Sequence, residues 1–256
     1  MSATLAATRA ELQYLLRIGD SSLILGQRLS EWCGHGPILE EDIALANVAL
    51  DLIGQARLVL TAAGELEGRE RDEDQLAFKR AEHEYRNVSL VELPNGDFAR
   101  TMLRNFLFAA FQAPLWERLR GSSFAQLAAI AAKSAKETRY HLRHSADWTV
   151  RLGDGTDESK QRMQQALDYL WPYTNEFFAP MPDDAAIAES GFGVAWAALR
   201  PEWEQVVLPV LAEAELKVPA RTPFLSHGTS GRHSEHMGHL LSELQYLQRT
   251  YPGNTW

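Results

Sequence analysis

The sequence predicts an all-α protein built on four long helices. Three observations predict it: apolar residues recur at helical spacing through long segments, glycine and proline separate those segments, and strand-like alternation is nearly absent. The chain has 256 residues, of which 45% are hydrophobic and 23% charged, as in ordinary globular proteins. We expect a single domain over 1–256, with a core over about 8–152 and extra helices over about 157–250.

The first two predicted helices lie on either side of a glycine-rich turn. Helix 1 spans residues 8–32 and stops at the sequence GHGP, which contains strong helix breakers. Helix 2 follows, with Glu40 and Glu41 in its first turn, where negative charge favours a helix start, and is predicted to end at Gly64. Residues 65–96 then form a long connection that contains a short helix and the strand- or loop-like segment SLVELPNG.

The second pair of long helices begins after an N-cap signal at Asp97. Helix 3 is apolar nearly all round and is predicted to kink at Pro114, and helix 4 runs from the turn GSS to Gly153. Three further helices are predicted near 157–178, 195–215 and 234–252. Two helical hairpins joined by one long crossover, followed by additional C-terminal helices, are typical of the ferritin-like four-helix bundle.

Composition excludes several classes of function. No apolar run reaches the roughly 18 residues that span a bilayer, so we expect no membrane partner. The net charge of -9 comes without a basic block, which argues against nucleic acid. The single cysteine, Cys33, cannot form an intramolecular disulfide, and the N-terminal segment looks like the start of a helix and not like an export signal. A cytoplasmic protein is therefore expected.

A ferritin-like bundle suggests a search for di-iron ligands. Such a site takes one Glu from each of two helices and a Glu-x-x-His from each of the other two. Residues three apart share a helix face, so a carboxylate and an imidazole at that spacing reach the same metal pair. The four carboxylates also balance most of the charge of the two iron ions.

The chain keeps only part of this ligand set. Helix 1 offers Asp20 and helix 2 offers Asp51, but Gly54 stands where the first histidine belongs. Helix 3 has no Asp or Glu between Asp97 and Glu117. Helix 4 offers Glu137, and its interior continues with Tyr140 at i+3, His141 at i+4 and His144 at i+7.

These gaps predict that the chain binds no di-iron pair, and that the positions Asp20, Asp51, Gly54, Glu137, Tyr140 and His141 form a degenerate site. We expect no catalytic and no metal-binding residue in this chain. The buried carboxylates still need partners, and basic residues on the same helices are candidates. They are Arg17, Arg57, Arg104, Lys133 and Arg139. A rearranged metal site at Glu137, His141 and His144 is the alternative.

Two other clusters carry weaker signals. His233, His236 and His239 stand at i, i+3 and i+6 and could bind a transition metal, although surface or interface histidines are commoner. Cys33 and His35 lie in a glycine-rich turn without the third member that an activated nucleophile requires.

Several segments resemble one family. They are LRIGDSSLILGQRLSEWCGHGPILEEDIALANVALDLIGQAR, VELPNGDFA, KETRYHLRHSADWTVRLGDGT and HSEHMGHLLSELQYLQRTYPG, which together cover most of the chain. They are similar to the C subunits of the bacterial phenylacetyl-CoA epoxidases, which act in phenylacetate catabolism. The resemblance is weaker across 180–230.

The resemblance implies a ferritin-like structural subunit that has lost its metal ligands. It implies a heterodimer with a homologous catalytic A subunit, which holds the di-iron centre and the CoA thioester. A small B subunit would join the assembly, and a reductase subunit with NADPH, FAD and a 2Fe-2S cluster would supply electrons. This chain itself would carry no cofactor. Two other hypotheses stay open: an independent oxygenase using Asp20, Asp51, Glu137 and His141, and a homo-oligomeric scaffold.

Overall fold

The computed structural model describes the backbone of residues 3–220 and 222–254, and the side chains of residues 8–220 and 222–254. Most of these residues are helical and none lies in a β-strand, although one isolated antiparallel bridge joins His227 to Arg232. The predicted all-α class is confirmed.

Eleven α-helices follow one another in the described part of the chain. They are α1 (Ala3–Ser30), α2 (Leu39–Glu67), α3 (Glu73–Phe78), α4 (Ser89–Glu92), α5 (Phe98–Leu119), α6 (Ala125–Gly153), α7 (Asp157–Leu170), α8 (Asp184–Glu189), α9 (Arg200–Glu213), α10 (Glu235–Leu244) and α11 (Tyr246–Thr250). The four longest, α1, α2, α5 and α6, are the four predicted long helices, so this part of the prediction is confirmed.

The predicted end of helix 2 at Gly64 is wrong. The helix continues to Glu67 and ends with Gly68 in the left-handed region, at a φ of 66°. Gly64 does not end the helix but leaves room for the chain that follows it, because a Cβ there would lie 2.1 Å from the backbone oxygen of Arg71. The glycine marks a close approach of the following chain, which the sequence pattern alone does not distinguish from a helix stop.

Other differences concern short elements. The segment SLVE, predicted as strand or loop, is the single turn α4. Residues 171–178 form a 3-10 helix in place of the predicted continuation of α7, since Pro172 has no N–H to donate to the preceding turn. Helix α8 was not predicted, and the predicted helix over 234–252 divides at Gln245 into α10 and α11.

The chain divides into two compact units. The first comprises Met1–Pro94 together with Ser226–Trp256, and the second comprises Asn95–Leu225. The first contains the hairpin of α1 and α2 with α3, α4, α10 and α11, and the second contains the hairpin of α5 and α6 with α7 to α9. The last two helices therefore pack with the first hairpin. The single domain over 1–256 and the four-helix bundle stay predictions.

Two glycines of α1 bring it close to α2 within the first unit. A Cβ at Gly19 would lie 3.0 Å from Leu60 Cδ2, and one at Gly26 would lie 2.9 Å from Ile53 Cγ1. Residues seven apart share one helix face, so both glycines point at α2. This explains why glycine, a poor helix former, stands inside α1.

The core of the second unit is rich in aromatic rings. The ring of Phe111 lies 4.8 Å from that of Phe177 and 4.9 Å from that of Trp196, measured between centroids. The indole N–H of Trp203 donates to the backbone oxygen of Leu107 at 3.0 Å, which ties α9 to α5. Aromatic pairs at these distances add packing energy beyond the burial of their area.

One described helix, α2, is long and apolar enough to span a membrane by length and composition alone. Its most apolar 18-residue window has a mean hydropathy of 1.6, and 44% of that window is buried. Core helices of water-soluble proteins pass the same test, so this feature is weak support for a membrane segment.

Two glycines of α2 allow a matched stability test. A Cβ at Gly54 would meet no atom within 4 Å, whereas one at Gly64 would collide with the backbone of Arg71. Gly54→Ala is expected to raise the free energy of unfolding by up to about 1 kcal/mol, the usual gain of alanine over glycine in a helix. Gly64→Ala is expected to lower it by about 1–3 kcal/mol through overpacking.

Urea unfolding followed by circular dichroism measures both changes. Since helix and substitution are the same, the difference in propensity cancels between the two variants. Equal effects of the two substitutions would contradict the close approach at Gly64.

Candidate functional site

Asp20, the predicted ligand of α1, is completely buried and paired with a cation. The Arg80 guanidinium donates from Nη1 to Asp20 Oδ2 at 3.0 Å and from Nη2 to Oδ1, a two-point contact in which both side chains are almost inaccessible to solvent. The backbone N–H of Arg86 also donates to Oδ2, at 2.8 Å. Both oxygens of Asp20 are thus engaged by groups of the connection between α2 and α5.

Arg80 is held from several sides. Its Nη1 also donates to the backbone oxygen of Glu84 at 3.1 Å, and its guanidinium carbon lies 4.2 Å from the ring centroid of Tyr85. Burial by itself lowers the pKa of Arg80, but the charge and hydrogen bonds of Asp20 outweigh it, so the pKa lies above its ordinary value. The arginine therefore stays charged, and the pair is a buried salt bridge.

Residues of the C-terminal segment also contact Arg80 and the neighbouring Tyr85. Gln245 Nε2 donates to the backbone oxygen of Arg80 at 2.9 Å and to the hydroxyl of Tyr85 at 2.8 Å, and Arg249 Nη2 donates to the same Arg80 oxygen at 3.0 Å. Burial raises the pKa of Tyr85 to about 12, so its hydroxyl stays protonated at neutral pH. Residues far apart in sequence thus form one buried polar network.

The partner of Asp20 was not among the five basic residues proposed from the sequence. Arg17 lies over the Tyr14 ring at 5.1 Å, and Arg104 donates to Asn95 Oδ1. Arg57 and Arg139 are exposed. The charge comes instead from Arg80, which lies two residues after the end of α3, in the segment LAFKRAEHEY that was predicted as a short helix.

The α2 positions show no ligand pair. Asp51 is half-buried, and Gly54 leaves open space where a side chain would start. The adjacent Leu50 side chain is 66% exposed. This part of α2 therefore faces solvent beside Gly54, the position at which the Glu-x-x-His pattern would have its histidine.

The α6 positions differ in burial. Lys133 Nζ lies 2.9 Å from Glu137 Oε1, so this proposed basic residue contacts a predicted ligand. Tyr140 is 40% exposed and stacks on His144 at 5.8 Å between ring centroids, while His141 is buried. The three aromatic side chains at i+3, i+4 and i+7 thus do not all turn to one side with Glu137.

Among the described residues, no group of three or more His, Cys, Asp or Glu side chains comes together in a way that could hold a metal ion. The general di-iron ligand pattern, in which Asp20 would bind one ion, also disagrees with the structure, because Arg80 and Arg86 engage both oxygens of that carboxylate. The residues present therefore do not fit a di-iron pair at Asp20.

A second buried carboxylate, Glu92 in α4, was not predicted as a site residue. Its Oε2 lies 2.8 Å from His233 Nδ1 and accepts from Asn87 Nδ2 at 2.9 Å, and its Oε1 accepts from the backbone N–H of Ser234 at 2.6 Å. The side chains of Glu92 and His233 are both inaccessible to solvent. In addition, Arg28 of α1 donates to the backbone oxygen of Glu92 at 2.7 and 3.0 Å.

Both ring nitrogens of His233 face acceptors. Nδ1 faces the Glu92 carboxylate, and Nε2 lies 3.3 Å from the backbone oxygen of Tyr85. An imidazole satisfies two acceptors only when it is protonated on both nitrogens. Burial lowers the pKa of His233, but the hydrogen bond and charge of Glu92 outweigh it, and the pKa is raised above its ordinary value.

The other candidates of the sequence analysis do not join these clusters. His236 is half-buried in the first turn of α10 and His239 is exposed, so the three histidines are not equivalent. Cys33 is an exposed free cysteine, and His35 Nδ1 lies 3.1 Å from the backbone oxygen of Cys33 and not from its thiol.

Fold and site together define an all-α protein in which buried carboxylates are held by ion pairs. The sequence model of a family described as phenylacetic acid catabolic protein matches residues 2–256. The C subunit of the 1,2-phenylacetyl-CoA epoxidase of Escherichia coli (strain K12) is 51% identical over 243 residues, which cover 95% of this chain and 98% of the relative. The chain belongs to the phenylacetic acid catabolic protein family, and its fold class is ferritin-like.

The pair of Asp20 and Arg80 can be tested by unfolding in urea. Asp20→Asn is expected to lower the free energy of unfolding by about 3–5 kcal/mol, because it leaves the Arg80 charge buried without its counter-ion. Arg80→Met is expected to cost a similar amount, because it leaves the Asp20 charge buried and unpaired. The double variant Asp20→Asn/Arg80→Met is expected to be less destabilised than the sum of the two single changes.

Glu117→Ala is the control for this experiment. Glu117 pairs with Arg120 at 2.8 Å, and both side chains are more than half exposed, so the loss is expected to stay below about 1 kcal/mol. A cost of Asp20→Asn no larger than that of Glu117→Ala would contradict the structural role of the buried pair.

The pair of His233 and Glu92 predicts a pH dependence of stability. Because the pKa of His233 is raised in the folded chain, its stabilisation is fully present below the unfolded value of 6.5 and is lost as pH rises through the folded value. His233→Gln is therefore expected to lose about 1.5–3 kcal/mol relative to wild type at low pH and less at high pH.

Urea midpoints measured from pH 5.5 upward test this expectation, with the exposed His239→Gln variant as control. The control is expected to track wild type at every pH. A difference between wild type and His233→Gln that does not change with pH would contradict a protonated His233.

Proposed function

We propose that this chain is a non-catalytic structural subunit of a multicomponent phenylacetyl-CoA 1,2-epoxidase. In this role it pairs with the di-iron catalytic subunit of the complex and stabilises it during oxygen-dependent epoxidation of the aromatic ring in phenylacetate catabolism. A small B subunit and a reductase subunit complete the assembly, which works in the cytoplasm. The family membership and the relative's name, the C subunit of such an epoxidase, support the proposal.

The state of Asp20 carries the non-catalytic part of the proposal. A carboxylate that serves iron needs free lone pairs directed at the metal, and those of Asp20 are used by Arg80 and Arg86. The arginine also supplies positive charge where a metal ion would otherwise have balanced the carboxylate. Asp20 therefore stabilises the fold through its ion pair with Arg80 and is not available as a metal ligand.

The division of cofactors follows from this assignment. No cofactor is expected in this chain, the di-iron centre belongs to the catalytic subunit, and NADPH, FAD and the 2Fe-2S cluster belong to the reductase. In this proposal the chain supports the catalytic subunit structurally and supplies no chemistry of its own.

Metal analysis distinguishes this function from an independent oxygenase. The chain is purified alone, and also after co-expression with the catalytic subunit, and iron is measured by atomic emission. We expect iron to follow the amount of the catalytic subunit, and we expect the two chains to elute together. Glu137→Ala in this chain is expected to leave turnover of the complete complex unchanged.

Three results would contradict the proposal. The first is di-iron stoichiometry in the isolated chain, with turnover that is lost in Glu137→Ala, as an oxygenase using Asp20, Asp51, Glu137 and His141 requires. The second is assembly of the chain into a large homo-oligomer that excludes the catalytic subunit, as a scaffold would show. The third is failure of the two chains to bind each other.

A further inference from the structure

Helix α2 presents large apolar side chains to solvent along its first half. The exposed fractions are 72% for Leu39, 52% for Ile43 and 66% for Leu50. Burying such a side chain stabilises a protein, so three of them exposed on one helix are unfavourable for a chain that works alone. A row of exposed apolar side chains along one helix is a candidate interaction surface.

The spacing of these residues specifies what fits against them. Leu39, Ile43, Ala46, Leu50 and Ile53 follow one another in steps of four, three, four and three. Steps that alternate between three and four form the seam of two helices that cross at about 20° and pack knobs into holes. The surface is therefore shaped for another helix and is less suited to a loop or a small ligand.

The last residue of this series, Ile53, already packs against α1 within the chain. Ile53 packs toward α1 at Gly26 and is half-buried, while Leu50 and Ile43 are exposed to solvent. Next to Ile53, Gly54 offers no Cβ to keep a neighbouring backbone away. Small residues beside an apolar seam let two helices approach closely.

A lipid surface fits this face poorly. Membrane-surface helices carry Lys and Arg beside their apolar face, whereas the first turn of α2 holds three acids, Glu40, Glu41 and Asp42. Asn47 lies exposed between Ile43 and Leu50, and Arg57 is an exposed cation further along the helix. An apolar centre with polar residues around it is the usual composition of a protein interface.

We propose that the row formed by Leu39, Ile43, Ala46 and Leu50 is the surface of this chain that binds the catalytic subunit, through a helix of that partner laid along α2. The inference rests on the proposed function, which supplies the partner, and the relative's name as one lettered subunit of an epoxidase supports a protein as the occupant. The charges of α2 require basic residues of the partner helix near Glu40 and acidic ones near Arg57.

Leu50→Asp tests the surface. In size-exclusion and titration experiments with the purified catalytic subunit, it is expected to weaken binding by at least about tenfold, because an unpaired charge would be buried within the contact. Leu39→Asp, at the most exposed position, is expected to weaken binding in the same direction. The control Leu247→Asp changes a leucine of α11 that is 46% exposed and is expected to bind like wild type.

Failure of the proposed surface and failure of the proposed function give different results in this experiment. If wild type binds the catalytic subunit with the same affinity as both variants, the surface is wrong and the proposed function stands. If wild type does not bind it, the proposed function itself fails. Loss of thermal stability of the isolated chain in both variants would mean that the face packs within the chain, and would overturn the inference.

Two other occupants are tested with the same proteins. Self-association of wild type that Leu50→Asp abolishes, with binding of the catalytic subunit unchanged, would assign the face to a second copy. Sedimentation with vesicles of phosphatidylcholine and phosphatidylglycerol that depends on Leu50, again with unchanged binding of the partner, would assign it to a membrane. Either result overturns the inference.

Discussion

The first unit depends on one buried salt bridge, between Asp20 in the middle of α1 and Arg80 in the connection that follows α2. A carboxylate without water needs a counter-ion and hydrogen bonds, and the connection supplies both from Arg80 and from the N–H of Arg86. The neighbouring Ser21 accepts from the N–H of Val88 at 3.1 Å. Two adjacent polar residues of α1 thus fix the path of a segment that would otherwise be a long irregular loop.

A second buried charge pair fixes the end of the chain in the same way. Glu92 accepts hydrogen bonds from His233 and from the N–H of Ser234, and Gly228 donates to Ser89 Oγ at 3.1 Å. A Cβ at Gly228 would lie 2.4 Å from the backbone oxygen of Asn87, so the two segments touch directly. The residues after 226 are therefore part of the first unit although they are distant from it in sequence.

Both networks bury acidic residues of the kind that a ferritin-like enzyme uses as metal ligands. In this chain the acids bind arginine, histidine and backbone N–H groups, which gives buried carboxylates a structural role. At Asp20, stability of the first unit and the poor fit to a metal ion then have one physical cause, because the same lone pairs cannot serve both. At the surface, α2 exposes the apolar side chains that we propose as the contact with the catalytic subunit.

Local sequence patterns were enough to predict the all-α class, the four long helices within a few residues and the N-cap at Asp97. Periodicity, capping and spacing act over a few residues, so they can be read without knowing the fold. The family was also readable from continuous segments such as WCGHGPILEEDIALAN.

The partners of the buried acids, in contrast, became visible only in the folded chain. Arg80 reaches Asp20 across 60 positions and His233 reaches Glu92 across 141, and no local pattern records such pairings. The fold also showed that Gly64 serves a backbone approach and that Leu50 faces outward. Burial and close contact are properties of segments that meet in space, so they depend on the whole fold and not on neighbours in sequence.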